Sequence, residues 1–142
     1  MSKRDDALAA LHARLTAALV SRDPAPLVLR NETAPQRLPA SGLVVVRDGG
    51  PVESIAILSP LSWAVEHRAE VEVVADSSAL LDALLVAVGE AVLADRTLGG
   101  AVEWAQPGAP DFEDVEFEGA ASASAASVPV ALFFTVAGSP LA

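Results

Sequence analysis

Between Trp63 and Arg96 the hydrophobic period changes from two to about 3.6 within a few residues, which confines the chain to folds where a long strand feeds a helix. From Trp63 to Val73 the odd positions read Trp63, Val65, His67, Ala69, Val71 and Val73, while Glu66, Arg68, Glu70 and Glu72 fill even ones. That is the alternation of an antiparallel strand with one face on the core and the other on water or a partner. From Ala79 the apolar positions become Leu80, Leu81, Leu84, Leu85, Val88 and Val92, a stripe along one side of a helix, with Asp82, Glu90 and Asp95 off it. Together the two segments predict a helix lying across a sheet.

The remaining pattern fills in a single α+β domain over residues 1–142, with two helices packed on a mixed, mainly antiparallel sheet. A first helix is predicted over about Arg4 to Ser21, with Ser2 as N-cap, Asp5 and Asp6 in the first turn, and Leu8, Leu11, Leu15 and Leu19 as its stripe. A short strand follows at Leu27–Arg30, then a polar, proline-bearing arm from Asn31 to Ser41. Strands at Leu43–Arg47 and Val52–Leu58 flank Asp48-Gly49-Gly50-Pro51, which reads as a hairpin turn because glycine tolerates positive φ. Asp76, Ser77 or Ser78 caps the second helix, and Gly99-Gly100 closes it. Further strands are expected at Ala101–Ala105, Phe112–Glu118 and Val128–Val136, with the low-complexity run Gly119–Ser127 as a flexible turn.

Composition narrows the function. Hydrophobic residues make up 52% of the chain but aromatics only 4%, so the core must be built from Ala, Val and Leu. The chain has no cysteine, which excludes disulfides, thiolate metal sites and a cysteine nucleophile. The N-terminal segment lacks the apolar run of a signal peptide, so export by that route is not expected. Gly119–Ala142 is uncharged, but its apolar part, Val128–Ala137, would span only about 15 Å as a helix, half of a bilayer core, and it fits a buried strand instead. Residues 1–75 carry eight Lys or Arg against nine Asp or Glu, net −1; residues 76–142 carry Arg96 against ten acids, net −9; these account for the total of −10. Such an acidic half repels phosphate backbones and disfavours duplex binding.

No motif for chemistry stands out. His12 and His67 have no second histidine at ligand spacing, and His67, on the apolar parity, reads as a core or interface histidine before it reads as a base or ligand. Asp111, Glu113, Asp114, Glu116 and Glu118 form the densest carboxylate run, but their spacing is not that of a calcium loop. As a strand, Asp114, Glu116 and Glu118 would share one face, suited to a solvated edge or a charged lumen. Neither a Walker loop, nor a dinucleotide fingerprint, nor a nucleophile-elbow serine is present, so no catalytic residue, cofactor or metal is assigned.

One resemblance spans most of the chain. Leu29-Arg30-Asn31-Glu32 with its Pro-rich arm, Asp48-Gly49, Leu58-Ser59-Pro60, Glu66-His67 through Glu72, Leu81-Asp82-Ala83-Leu84-Leu85, Asp95-Arg96-Thr97-Leu98-Gly99-Gly100 and Pro140-Leu141 follow in order. With these it resembles the small tail terminator, or tail completion, proteins of long-tailed phages and gene-transfer particles. The resemblance implies a virion structural protein without catalysis, a homohexameric ring at the tail-neck junction, assembled in the host cytoplasm. Such a ring caps the tube, stops polymerisation of the major tail tube protein and faces a head-completion or neck protein, with no membrane partner and with DNA only passing through. On this reading Arg30, Asn31, Glu32, Arg37, Glu66, Arg68, Glu70 and Glu72 are candidate interface residues, and Asp114, Glu116 and Glu118 a candidate acidic lumen. The alternatives are another neck adaptor, or a small acyl-transfer or hydrolytic enzyme using Ser59 or an aspartate with His67 as base. Neutralising Asp114, Glu116 and Glu118 together is expected to leave folding intact and to lower particle assembly or DNA passage, read as infectious yield; an unchanged yield would contradict the lumen assignment.

Overall fold

Ser2 starts the first helix as the sequence pattern requires: its hydroxyl accepts the Asp5 N–H at 3.1 Å, satisfying one of the orphan donors of helix α1 (Lys3–Leu19). The computed structural model describes residues 2–22, 24–31, 38–115 and 123–142, with the backbone alone at 114 and 115. After α1 come strands β1 (Leu27–Arg30), β2 (Leu43–Leu58) and β3 (Leu61–Ala75), helix α2 (Ser78–Ala94), a 3₁₀ turn at Leu98–Gly100, and strands β4 (Trp104–Pro107), β5 (Asp111–Val115) and β6 (Ala123–Ala137). Two helices and one six-stranded mixed sheet make a single α+β domain.

The sheet runs β1-β2-β3-β6-β4, with β5 also on β6 beside β4. Among the described residues β1 and β2 pair in parallel and the other pairs are antiparallel. Parity along β3 then decides what is buried. Val65, His67, Ala69, Val71, Val73 and Ala75 point to the helices, joined by Val44 and Val46 of β2 and by Val130, Leu132 and Phe134 of β6. Against this face lie Leu8, Leu11, Leu15 and Leu19 of α1 and Leu81, Leu84, Val88 and Val92 of α2. The two helices are tied directly, since the Arg14 Nε–H donates to the Ala91 carbonyl at 2.8 Å in the last turn of α2, which has no basic residue of its own. On the opposite face a smaller cluster of Leu43, Val45, Val74, Ala123 and Ala125 is covered in part by Leu29 and Leu38.

Four expectations need correction. Asp48-Gly49-Gly50-Pro51 is not a hairpin turn: β2 runs straight through it, with register shifts between Asp48 and Gly50 and between Pro51 and Glu53. The turn residues are absorbed as bulges, with Gly50 at φ 91° and Gly49 placed where a Cβ would meet the Arg68 carbonyl oxygen at 2.9 Å. The chain reverses instead at Ser59-Pro60, a cis peptide, between Leu58 and Leu61. Helix α2 stops at Ala94, short of Gly99-Gly100, because the Asp95 carboxylate draws the Thr97 and Gly99 N–H groups into a turn. As a result the next strand begins at Trp104, three residues later than expected. In the Ala/Ser run, residues 123–127 are strand, held between β3 and β5. Hydrogen-bonding on both edges outweighs the weak strand propensity of Ala and Ser; residues 119–122 lie outside the described residues.

Lengths set the outline. Each helix has 17 residues and so measures about 25 Å, whereas the 15 residues of β3 stretch to about 50 Å. Helices of that size cover only part of such a strand pair, and the covered half is the one holding Val44, Val46, Val71 and Val73. Leu84→Ala at a fully buried position is expected to lower stability by about 2–5 kcal/mol. Val86→Ala, at a residue 54% exposed, should stay within about 0.5 kcal/mol of the parent. Urea denaturation followed by circular dichroism measures both.

Candidate functional site

Toward the β2–β3 turn the outer strand β2 becomes an exposed arm, while β6 stays paired with β3 as far as Ser62. Every β2 residue from Pro51 to Leu58 is exposed, on both faces of the strand. The pairing continues to the tip, through Ile55 opposite Ala64, Ala56 opposite Trp63, and Leu58 opposite Leu61. Val52, Ile55, Ile57, Leu58 and Leu61 are 53%, 54%, 45%, 81% and 48% exposed, an apolar surface that the monomer leaves in water. Ile55 and Ile57 fall at strand spacing on one face, which Glu53 shares, but a sequence alone does not reveal that no helix reaches this far. The arm was therefore missed among the candidate residues, although its run of apolar side chains with Glu53 as the only charge between Pro51 and Val65 is a readable signal.

At the root of the arm sits a buried histidine with a carboxylate partner. His67 is 4% exposed, and its Nε2 lies 2.6 Å from Asp48 Oδ1, to which it donates. The same oxygen accepts the Gly50 N–H at 2.8 Å, and Arg4 of α1 approaches the other oxygen at 3.8 Å. Partial burial would raise the Asp48 carboxyl, but the bonds from Gly50 and His67 and the charges of His67 and Arg4 outweigh it and hold the group below its ordinary value of 3.8. His67 thus finds its partner on the bulge of β2; Glu66 and Glu70, its sequence neighbours, belong to the other face of the sheet. The cluster fixes the joint between the helix-covered body and the arm. It opens onto a cavity of about 380 Å³ lined by Arg4, Ser54, His67, Phe134 and Leu141 among others. Ser59, the serine considered as nucleophile, lies at the hairpin tip beyond Leu61, about 20 Å or more along β3 from His67. Among the described residues no serine or threonine hydroxyl bonds to His67, and none of the acidic and histidine side chains gather in threes at metal-holding distance.

The even face of β3 carries the other predicted residues, and most of them are paired within the subunit. Arg47 meets Glu72 at 3.2 Å, Arg68 meets Glu70 at 3.1 Å, and the Ser127 hydroxyl donates to Glu70 at 2.8 Å. Glu66 stands opposite Glu53, two like charges beside a 220 Å³ cleft with Ile55, Ala64 and Phe133 in its wall. Arg30 turns the other way, toward α1, where it holds Asp5 at 2.6 Å and staples β1 to the helix start. Asn31 sits at φ 55° with its N–H on the Val46 carbonyl at 2.9 Å, an anchor for the chain leaving β1. Glu32, Arg37, Glu116 and Glu118 lie outside the described residues, and Asp114 is placed by its backbone, opposite Ser124.

The far flank of the sheet carries β4 and β5. Trp104 is 45% exposed, with the Arg96 guanidinium 4.2 Å above its ring, and Arg96 also donates to the Gln106 side chain at 2.6 Å. Nearby, the Thr97 hydroxyl and the Gly99 N–H hold the Asp95 carboxyl below the usual range. Among the described residues, no helix is long and apolar enough to cross a membrane. No known family model matches the chain, and no curated protein matches its sequence.

The lowered pKa gives the Asp48 cluster a testable sign. A carboxyl whose folded pKa falls below its unfolded one stabilises the fold at pH values above the unfolded pKa, and loses that contribution as the pH drops through the lowered value. Asp48→Asn is expected to cost about 1 kcal/mol at pH 7, allowing for solvent screening of a side chain 39% exposed. The gap between variant and parent should close as the pH falls below 3.8, in chemical denaturation series run at stepped pH.

Proposed function

We propose that this chain is a structural subunit of the tail terminator kind: a protein that forms a homohexameric ring, caps a tail tube, halts addition of the major tail tube protein and presents a face to head-completion or neck proteins. The observation that carries the reading is the arm. A subunit that leaves Ile55, Ile57, Leu58 and Leu61 in water is built to bury them elsewhere. The ordered series of short motifs from Leu29 to Leu141 points in the same direction, and so does the α+β architecture with two helices on one sheet face. Charge is compatible with a conduit: an acidic half, net −9, resists tight contact with phosphates, so DNA passes without being held. The subunit would then act at the tail-neck junction of the virion, by shape and contact and not by turnover.

Native mass is the direct test. Light scattering of the purified protein, with imaging of the same peak, is expected to give a ring of six 14.5 kDa subunits, about 87 kDa. A monomer at every concentration, together with tail tubes of unchanged length after the protein is added, would overturn the proposal.

A further inference from the structure

The ring reading leaves open which surfaces meet, and the two flanks of the sheet supply an answer that rests on it. β1 occupies the outer edge of β2 only opposite Leu43–Val46. From Arg47 to Leu58 no strand among the described residues pairs with that edge, so a row of backbone donors and acceptors runs along the most apolar exposed segment of the chain. At the other flank β4 pairs β6 on one side alone among the described residues, which gives a second open edge. We propose that the β2 arm edge of one subunit is taken by the β4 flank of a second copy of this chain, so that the sheet continues from subunit to subunit.

Three observations select this occupant. Faces match: Ile55 and Ile57 lie on the face away from the helices, with Ala64 and Ser62 opposite them, and Trp104 and Gln106 lie on that same face, opposite Phe133 and Ala131. A continued sheet therefore sets the isoleucines beside the exposed half of Trp104. Area is adequate: the five apolar side chains of the arm expose on the order of 500 Å², more than half of the roughly 800 Å² that one partner contributes to a stable contact. Charge favours head-to-tail order. The arm flank belongs to the nearly neutral half of the chain, net −1, and the β4–β5 flank to the half with net −9. Joining unlike flanks avoids setting Glu103, Asp111 and Glu113 against their own copies. A contact between two different patches is also the kind that closes into a ring, whereas two arms joined to each other would stop at a dimer.

The chain has no cysteine, so introduced thiols report a single geometry. In the double variant Ile57→Cys with Gln106→Cys, a short flexible bismaleimide should give a ladder of cross-linked species up to six subunits. Neither single variant should give one. Cross-linked dimers from Ile57→Cys alone would mean arm meets arm, and would overturn the proposal. Independently, Ile55→Lys with Ile57→Lys should lower the native mass six-fold, to the single subunit, while circular dichroism keeps the spectrum of the folded chain because both sites are exposed in the subunit. A hexamer that survives those lysines overturns the arm contact and leaves the ring reading standing. A parent protein that stays monomeric even on tube ends overturns both.

Discussion

Antiparallel pairing of β3 with β6, unbroken from Ser62 opposite Ala137 to Ala75 opposite Ser124, is the constraint that the rest of the molecule follows. It fixes which side of β3 meets the helices, and one slip in register would send Val65, Val71 and Val73 to the wet face and the glutamates into the core. It also gives β4 and β5 the edge they pair with, because both lie along the outer side of β6. The uncharged composition of β6 suits this place. A central strand flanked on both sides can use Ala123, Ala125 and Ala126, which are buried, where an edge strand would need larger side chains to hold its position.

The outer strand β2 is divided into a covered half and a bare arm, which runs beside β3 toward the turn. Strands of about 50 Å are crossed by helices of about 25 Å, so some of the hairpin must run past its cover. The boundary is marked chemically: two β2 bulges, the Asp48 carboxylate, buried His67 and Arg4 at the start of α1 meet there. A bulged strand twists and bends locally, and a hydrogen-bonded pair at the bulge gives that bend one geometry. The arm therefore leaves the body in a defined direction, as a contact surface needs.

Much of this was legible in the residues. The two periods around Asp76, the Ser2 and Ser77 caps, the strand Leu27–Arg30 and the buried parity of His67 all follow from local chemistry that the folded state keeps. The errors share one cause. Asp48-Gly49-Gly50-Pro51 has turn residues, yet pairing with β3 on either side carries the strand through them. Ala123–Ser127 has little strand propensity, yet neighbours on both edges order it. Arg30 looked free for a partner but is drawn to Asp5, a residue 25 positions away whose proximity no spacing rule gives. Half of the candidate interface on β3 is likewise taken up by pairs with Arg47 and Ser127.

By itself the sequence determined the class of fold, the faces of α1, α2 and β3, the absence of thiol chemistry and the acidic second half, because hydrophobic period, capping side chains and charge act over a few residues. The tertiary structure decided where the chain turns, which strand is central, what His67 holds and which apolar residues stay in water. These depend on which segments lie side by side and on how far the helices reach, and neither is encoded in any single stretch of the chain.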